Sequence, residues 1–141
     1  LFLRGQGKGR KSVRSNADEG PVPPLYEQRR RRYRSGLNAE MIVAAVYMAF
    51  GHRILGRRFK TPVGEIDLIA IKGRRVAFIE VKRRTTTEDA EDAITLTMRR
   101  RVRRAADLWL ARNPRYQGHD VGFDLVFVLP WRFPIVMRDA L

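Results

Sequence analysis

Apolar residues at Met41, Ala44, Ala45, Met48 and Ala49 recur at intervals that line one face of a helix, and Gly51 follows where a left-handed cap would end it. This spacing predicts a first helix over about 37–50. Short runs rich in β-branched and aliphatic residues follow at 53–60, 64–72 and 75–83, and read as three strands. Only Gly73 and Arg74 separate the second from the third, and a two-residue loop with glycine first suits a type II′ hairpin turn.

That turn fixes a register. With Lys72 opposite Arg75, Asp67 is expected across from Glu80 and Glu65 across from Lys82, so period-two alternation gathers all four on one face of the sheet. Ile66, Leu68, Ala70, Ala77, Ile79 and Val81 are then the core face. Two neighbouring acids inside such apolar strands repel each other and contradict local propensity, and violations of this kind tend to mark functional sites.

Downstream, 85–92 reads as a polar loop and Thr97 as the N-cap of a second helix. Met98, Val102, Ala105 and Trp109 form its packing stripe, while Arg99, Arg100, Arg101, Arg103 and Arg104 cover the remaining surface. Asn113 and Pro114 stop it. A strand is expected over 122–129, and an edge strand over 133–137, where Pro130 and Pro134 discourage a central position. Strands and helices mixed in this way along the chain indicate the α/β class.

Composition narrows the picture. A chain of 141 residues suits one domain. The net charge of +14 points to a polyanionic partner, nucleic acid foremost, while 44% hydrophobic residues still permit a core. Residues 1–35 carry ten basic and three acidic side chains, few large aliphatics and the run Arg29-Arg30-Arg31-Arg32, a composition expected to form a disordered arm ahead of a domain at 36–141. The arm has three readings: a polybasic nucleic-acid tether, a targeting peptide, or an extension without a role. The absence of cysteine excludes disulfides, thiolate metal sites and a cysteine nucleophile, and agrees with a cytoplasmic setting. The apolar run 41–50 is about half of what spans a bilayer, so no membrane partner is expected. Two histidines, His52 and His119, have no partner spacing suggesting zinc or a Ser-His-Asp set.

The chemistry concentrates in Gly64-Glu65-Ile66-Asp67-Leu68-Ile69-Ala70 and Phe78-Ile79-Glu80-Val81-Lys82. With these motifs, Gly36-Leu37-Asn38-Ala39-Glu40 before them, and Phe123-Asp124 and Arg138-Asp139-Ala140 after them, the sequence resembles the bacterial UPF0102 (YraN-like) family. That family looks related to PD-(D/E)XK nucleases and, more distantly, to archaeal Holliday junction resolvases. The resemblance implies an α/β, restriction-endonuclease-like fold, with an αβββαβ core whose mixed sheet is flanked by helices. Asp67 and Glu80 match the two acidic positions of the nuclease motif, Lys82 its lysine, and Glu40 a glutamate that such nucleases often add on the first helix. The sequence departs from the family at Thr97-Met98-Arg99-Arg100, where Thr-Pro-Arg-Lys is usual.

These matches imply a metal-dependent endonuclease-like protein acting on nucleic acid, DNA favoured and branched DNA among the candidates. Asp67 and Glu80 would hold Mg²⁺ or Mn²⁺, Lys82 would orient the attacking water, and Arg83, Arg84, Arg99, Arg100 and Arg103 would track phosphates. Analogy to resolvases also raises a homodimer, although no residue marks an interface. The alternatives remain a basic nucleic-acid-binding protein without catalysis, a basic protein of a ribonucleoprotein assembly, and, for the acids themselves, a solvated sheet face with a Glu65–Lys82 ion pair.

Overall fold

A computed structural model of the chain describes residues 24–85 and 94–141. Its elements are α1 (Leu25–Ala49), β1 (Arg53–Thr61), β2 (Gly64–Lys72), β3 (Arg75–Arg83), α2 (Leu96–Arg112), a 3-10 turn (Pro114–Tyr116), β4 (Asp120–Val128) and β5 (Ile135–Met137). The strands lie in sequence order in one mixed sheet. β1, β2 and β3 form an antiparallel meander, β4 runs parallel to β3, and β5 returns antiparallel along β4. A parallel neighbour requires a crossover, and α2 supplies it.

The sheet is covered on both faces. Ala39, Val43, Ala44 and Tyr47 of α1 pack on Leu68, Ala70, Ala77, Ile79, Val126 and Val128. Val102, Ala105, Ala106 and Trp109 of α2 pack on Ile66, Ile69, Val76, Phe78, Leu125 and Phe127. This corrects the expectation of a single core face: a strand buried on both sides carries a continuous apolar run rather than alternation. Ile66 also changes sides, joining the α2 core while Leu68 and Ala70 join the α1 core. Alternation therefore breaks around Asp67. Its neighbour in the β1 register, between the pairs Arg57↔Leu68 and Phe59↔Ile66, is Arg58, whose φ of 50° is itself outside the strand range.

The hairpin turn follows expectation, with Lys72 paired to Arg75 and Gly73 at φ 58°. So does the end of α1, where Gly51 has φ 84° and the Gly51 and His52 amides donate to Met48 and Tyr47 carbonyls, a Schellman closure. Its beginning differs: α1 starts at Leu25, so residues 25–35, expected in the disordered arm, are helical. The Pro24 carbonyl accepts from the Glu27 and Gln28 amides. Residues 1–23 of the arm and 86–93 of the polar loop lie outside the described residues. The second helix begins one residue before the expected cap, because Thr95 rather than Thr97 takes the capping position and accepts from the Met98 amide at 3.1 Å. The last two strands begin at Asp120 and Ile135.

Candidate functional site

The β2–β3 ladder runs from Lys72↔Arg75 to Leu68↔Ile79. The next two residues, Asp67 and Glu80, were expected to be the following pair, but the ladder ends before them. Asp67 instead turns its own side chain into the gap, and Oδ2 accepts from the Val81 amide at 2.7 Å. A carboxylate replaces a carbonyl as acceptor, and the strands fork around it.

Glu65, Asp67, Glu80, Val81, Lys82 and Arg101 line a pocket of about 300 Å³ at this fork. Lys82 Nζ lies 2.7 Å from Glu80 Oε1, so the ion pair is along β3 and not across to Glu65. The β2 end can approach α2 here because Gly64 has no side chain. A Cβ at that position would collide with the Arg101 carbonyl.

The pocket holds charge under strain. Burial pushes the Asp67 carboxyl up to about 7, and the Glu80 and then the Glu40 charges add to the rise; the Val81 amide and Lys82 oppose it. Such a site gains from any cation that enters between the carboxylates. Among the described residues no group of three or more His, Cys, Asp or Glu side chains is arranged to hold a metal ion. The donor set still fits one class: Mg²⁺ commonly takes one or two carboxylates, keeps several waters and completes its shell from phosphate oxygens. Asp67 Oδ2 is committed to Val81, which leaves Oδ1 for such a role.

The other expected site residues are dispersed. Glu40 is buried on α1 but is held by Arg58, with Nε 2.7 Å from Oε2 and Nη2 3.1 Å from Oε1. It does not line the pocket and acts on Asp67 through its charge. Arg83 is exposed along a separate groove between α1 and the β4–β5 connection. Arg84 donates to the Arg83 carbonyl at 2.9 Å. Arg99 and Arg100 are exposed on the first turn of α2. Arg103 is occupied structurally: it donates to the Leu141 carbonyl at 2.7 Å and lies over the Phe123 ring. The α2 cation that reaches the pocket is Arg101. One signal marked it in the sequence, since it sits four residues before the buried Ala105 and so borders the packed stripe.

A second polar cluster serves the fold. Asp124, fully buried on β4, accepts from Arg75 at 2.7 and 3.1 Å, from Tyr47 Oη at 3.0 Å and from the Asp139 amide at 3.1 Å. Burial works to raise its pKa, but the Arg75 hydrogen bond leads a set of donors that holds it below the usual carboxylate range. Arg75 can reach across because Gly122 leaves room where a Cβ would strike the guanidinium. This cluster ties the C-terminal segment, through Asp139, to the centre of the sheet.

The family model described as "Uncharacterised protein family UPF0102" matches residues 39–128. A UPF0102 protein of Chelativorans sp. (strain BNC1) is 50% identical over 111 residues, 79% of this chain and 90% of that protein. One of Mesorhizobium japonicum is 46% identical over 112 residues, again 79% and 90%. Another, of Methylorubrum extorquens (strain PA1), is 48% identical over 120 residues, 84% and 94%.

Proposed function

The chain belongs to the uncharacterised family UPF0102, and from the site it carries we propose a metal-dependent endonuclease-like protein that hydrolyses phosphodiesters in nucleic acid, DNA in preference and branched DNA among its substrates. The fold would then be of the restriction-endonuclease-like, PD-(D/E)XK type. The observation that carries this reading is the fork: Asp67, with its raised proton affinity, shares one pocket with Glu80, a lysine and an arginine. Mg²⁺ or Mn²⁺, held by Asp67 Oδ1 and Glu80, would neutralise charge on the phosphate and lower the pKa of a bound water.

The side chains divide the remaining work. The Val81 amide fixes the Asp67 carboxylate so that it does not rotate away from the substrate. Lys82, held at the rim by Glu80, can turn to orient a water or to face a phosphate oxygen. Arg101 supplies a second cation on the opposite wall, where a planar guanidinium can bind phosphate through two N–H groups. Glu40, clamped by Arg58, is a positioning residue that adds negative potential behind Asp67.

The competing reading is a basic module that grips nucleic acid without cutting it, supported by the exposed arginines of α2 and the net charge of +14. Metal separates the two. Titration with Mn²⁺, followed by electron paramagnetic resonance, is expected to show one site in the wild type that is lost in Asp67→Asn and in Glu80→Gln. Equal Mn²⁺ binding by all three proteins would favour the non-catalytic module.

A further inference from the structure

The first buried residue of α1 among those described is Ala39, and the family match also begins at residue 39. The fourteen positions before it, 25–38, continue the same helix: Leu25 and Tyr26 are 77% and 67% exposed, and Arg29, Arg30, Arg31 and Asn38 are exposed. They carry five arginines, at 29, 30, 31, 32 and 34, against one acid, Glu27. At a rise of 1.5 Å per residue this stretch is about 21 Å long, the length of roughly six base pairs of duplex at about 3.4 Å each.

Its sequence favours the helix locally. Glu27 sits near the positive end of the helix dipole, and Glu27 and Arg31 are four apart in the favourable order. Two features weaken it: the adjacent arginines repel one another, and Gly36 lies in the helix interior. A polyanion removes the first weakness.

The position of the stretch matters as much as its charge. It departs from the domain directly before Glu40, whose charge acts on Asp67. Asn38 and Ala39 share a groove with Arg83, which directly follows Lys82 on β3. The basic turns therefore leave from the end of the domain that holds the acidic pocket. At about 100° per residue, positions 29 to 32 step round the whole helix. A membrane-surface helix needs a broad apolar face; here Leu25, Tyr26, Tyr33 and Leu37 share one narrow, largely aromatic side that Arg29 interrupts and Arg30 borders. A helix with arginines on every side suits a duplex groove, which has a phosphate rail on each side and a width of about 12 Å.

We propose that residues 25–38 form a basic rod that binds the phosphate rails of duplex DNA adjoining the cleavage position, so that the substrate must carry a duplex arm of about six base pairs or more. The proposal rests on the nucleic-acid reading above and specifies its substrate.

The test is fluorescence anisotropy of the full chain in chelator, so that nothing is cut, on hairpin-capped duplexes of about 5 and about 15 base pairs over a salt series. In a variant combining Arg29→Gln, Arg30→Gln, Arg31→Gln, Arg32→Gln and Arg34→Gln, the log K against log salt slope on the longer duplex is expected to fall by about 3 to 5, near 0.9 per phosphate released, with little change on the shorter one. Gly36→Pro, which keeps the charge but interrupts the rod, is expected to weaken binding to the longer duplex at least tenfold. An unchanged slope, equal losses on both lengths, or wild-type binding by Gly36→Pro would overturn the proposal. So would intact duplex binding with lost binding to phosphatidylserine vesicles. The two readings fail separately: a reduced slope in a protein that cleaves nothing leaves the rod standing and removes the nuclease, and normal cleavage with an unchanged slope does the reverse.

Discussion

The fork between β2 and β3 makes the stability of the metal-free protein depend on pH in a specific direction. Asp67 is pushed up to about 7, chiefly by burial and then by Glu80, whereas in the unfolded chain it titrates near 3.9. An acid with a raised folded pKa binds its proton more tightly when folded, so its stabilising contribution is complete below the unfolded pKa and is lost as pH rises through the folded one. Between pH about 5.5 and about 8.5 that loss amounts to on the order of 2 kcal/mol. Asp67→Asn keeps an oxygen to accept from Val81 but does not ionise, and its stability is expected to be flat over this contribution. Urea denaturation in chelator at both pH values measures the difference. Mg²⁺ is expected to recover the wild type at the higher pH and to leave Asp67→Asn unmoved. Equal pH dependence of wild type and Asp67→Asn would refute the electrostatic account of the pocket.

Other substitutions test how the site is held. Gly64→Ala places a Cβ against the Arg101 carbonyl and is expected to cost roughly 1–3 kcal/mol, read by urea denaturation, because backbone must shift to admit it. Asp124→Ala leaves Arg75 and Tyr47 without their buried acceptor; a loss of about 3–5 kcal/mol is expected, and less than about 1 would show that the cluster contributes little. Thr95→Ala removes the side-chain cap of α2 and is expected to lower stability by about 1 kcal/mol, whereas Thr97→Ala, inside the first turn, is expected to change it by much less.

What could be read along the chain was mostly local. The β2–β3 hairpin was legible because Gly73 meets a requirement for positive φ and the flanking runs are long enough to set a register. Asp67, Glu80 and Lys82 were legible as a group because polar residues in such apolar strands stand out, and the structure does bring them into one pocket. The fork was not legible: alternation counts side chains and says nothing of a carboxylate that replaces a backbone acceptor. Burial of both sheet faces was missed for a related reason, since β2 and β3 hide their alternation once α1 and α2 cover opposite sides. Arg58 and Glu40 are eighteen residues apart, and only the packing of α1 beside β1 makes them partners. The helix over 25–35 escaped because composition reports burial, whereas a helix once nucleated propagates through its own backbone hydrogen bonds.

Cleavage itself tests the central claim most directly. Branched, flapped, single-stranded and plain duplex substrates should be incubated with wild type and Glu80→Gln in Mg²⁺, in Mn²⁺ and in chelator. Metal-dependent cleavage of at least one duplex-bearing substrate by the wild type, abolished by chelator and by Glu80→Gln while binding persists, is the predicted result. Cleavage that survives both chelator and Glu80→Gln, or binding without cleavage of any substrate in either metal, would contradict it.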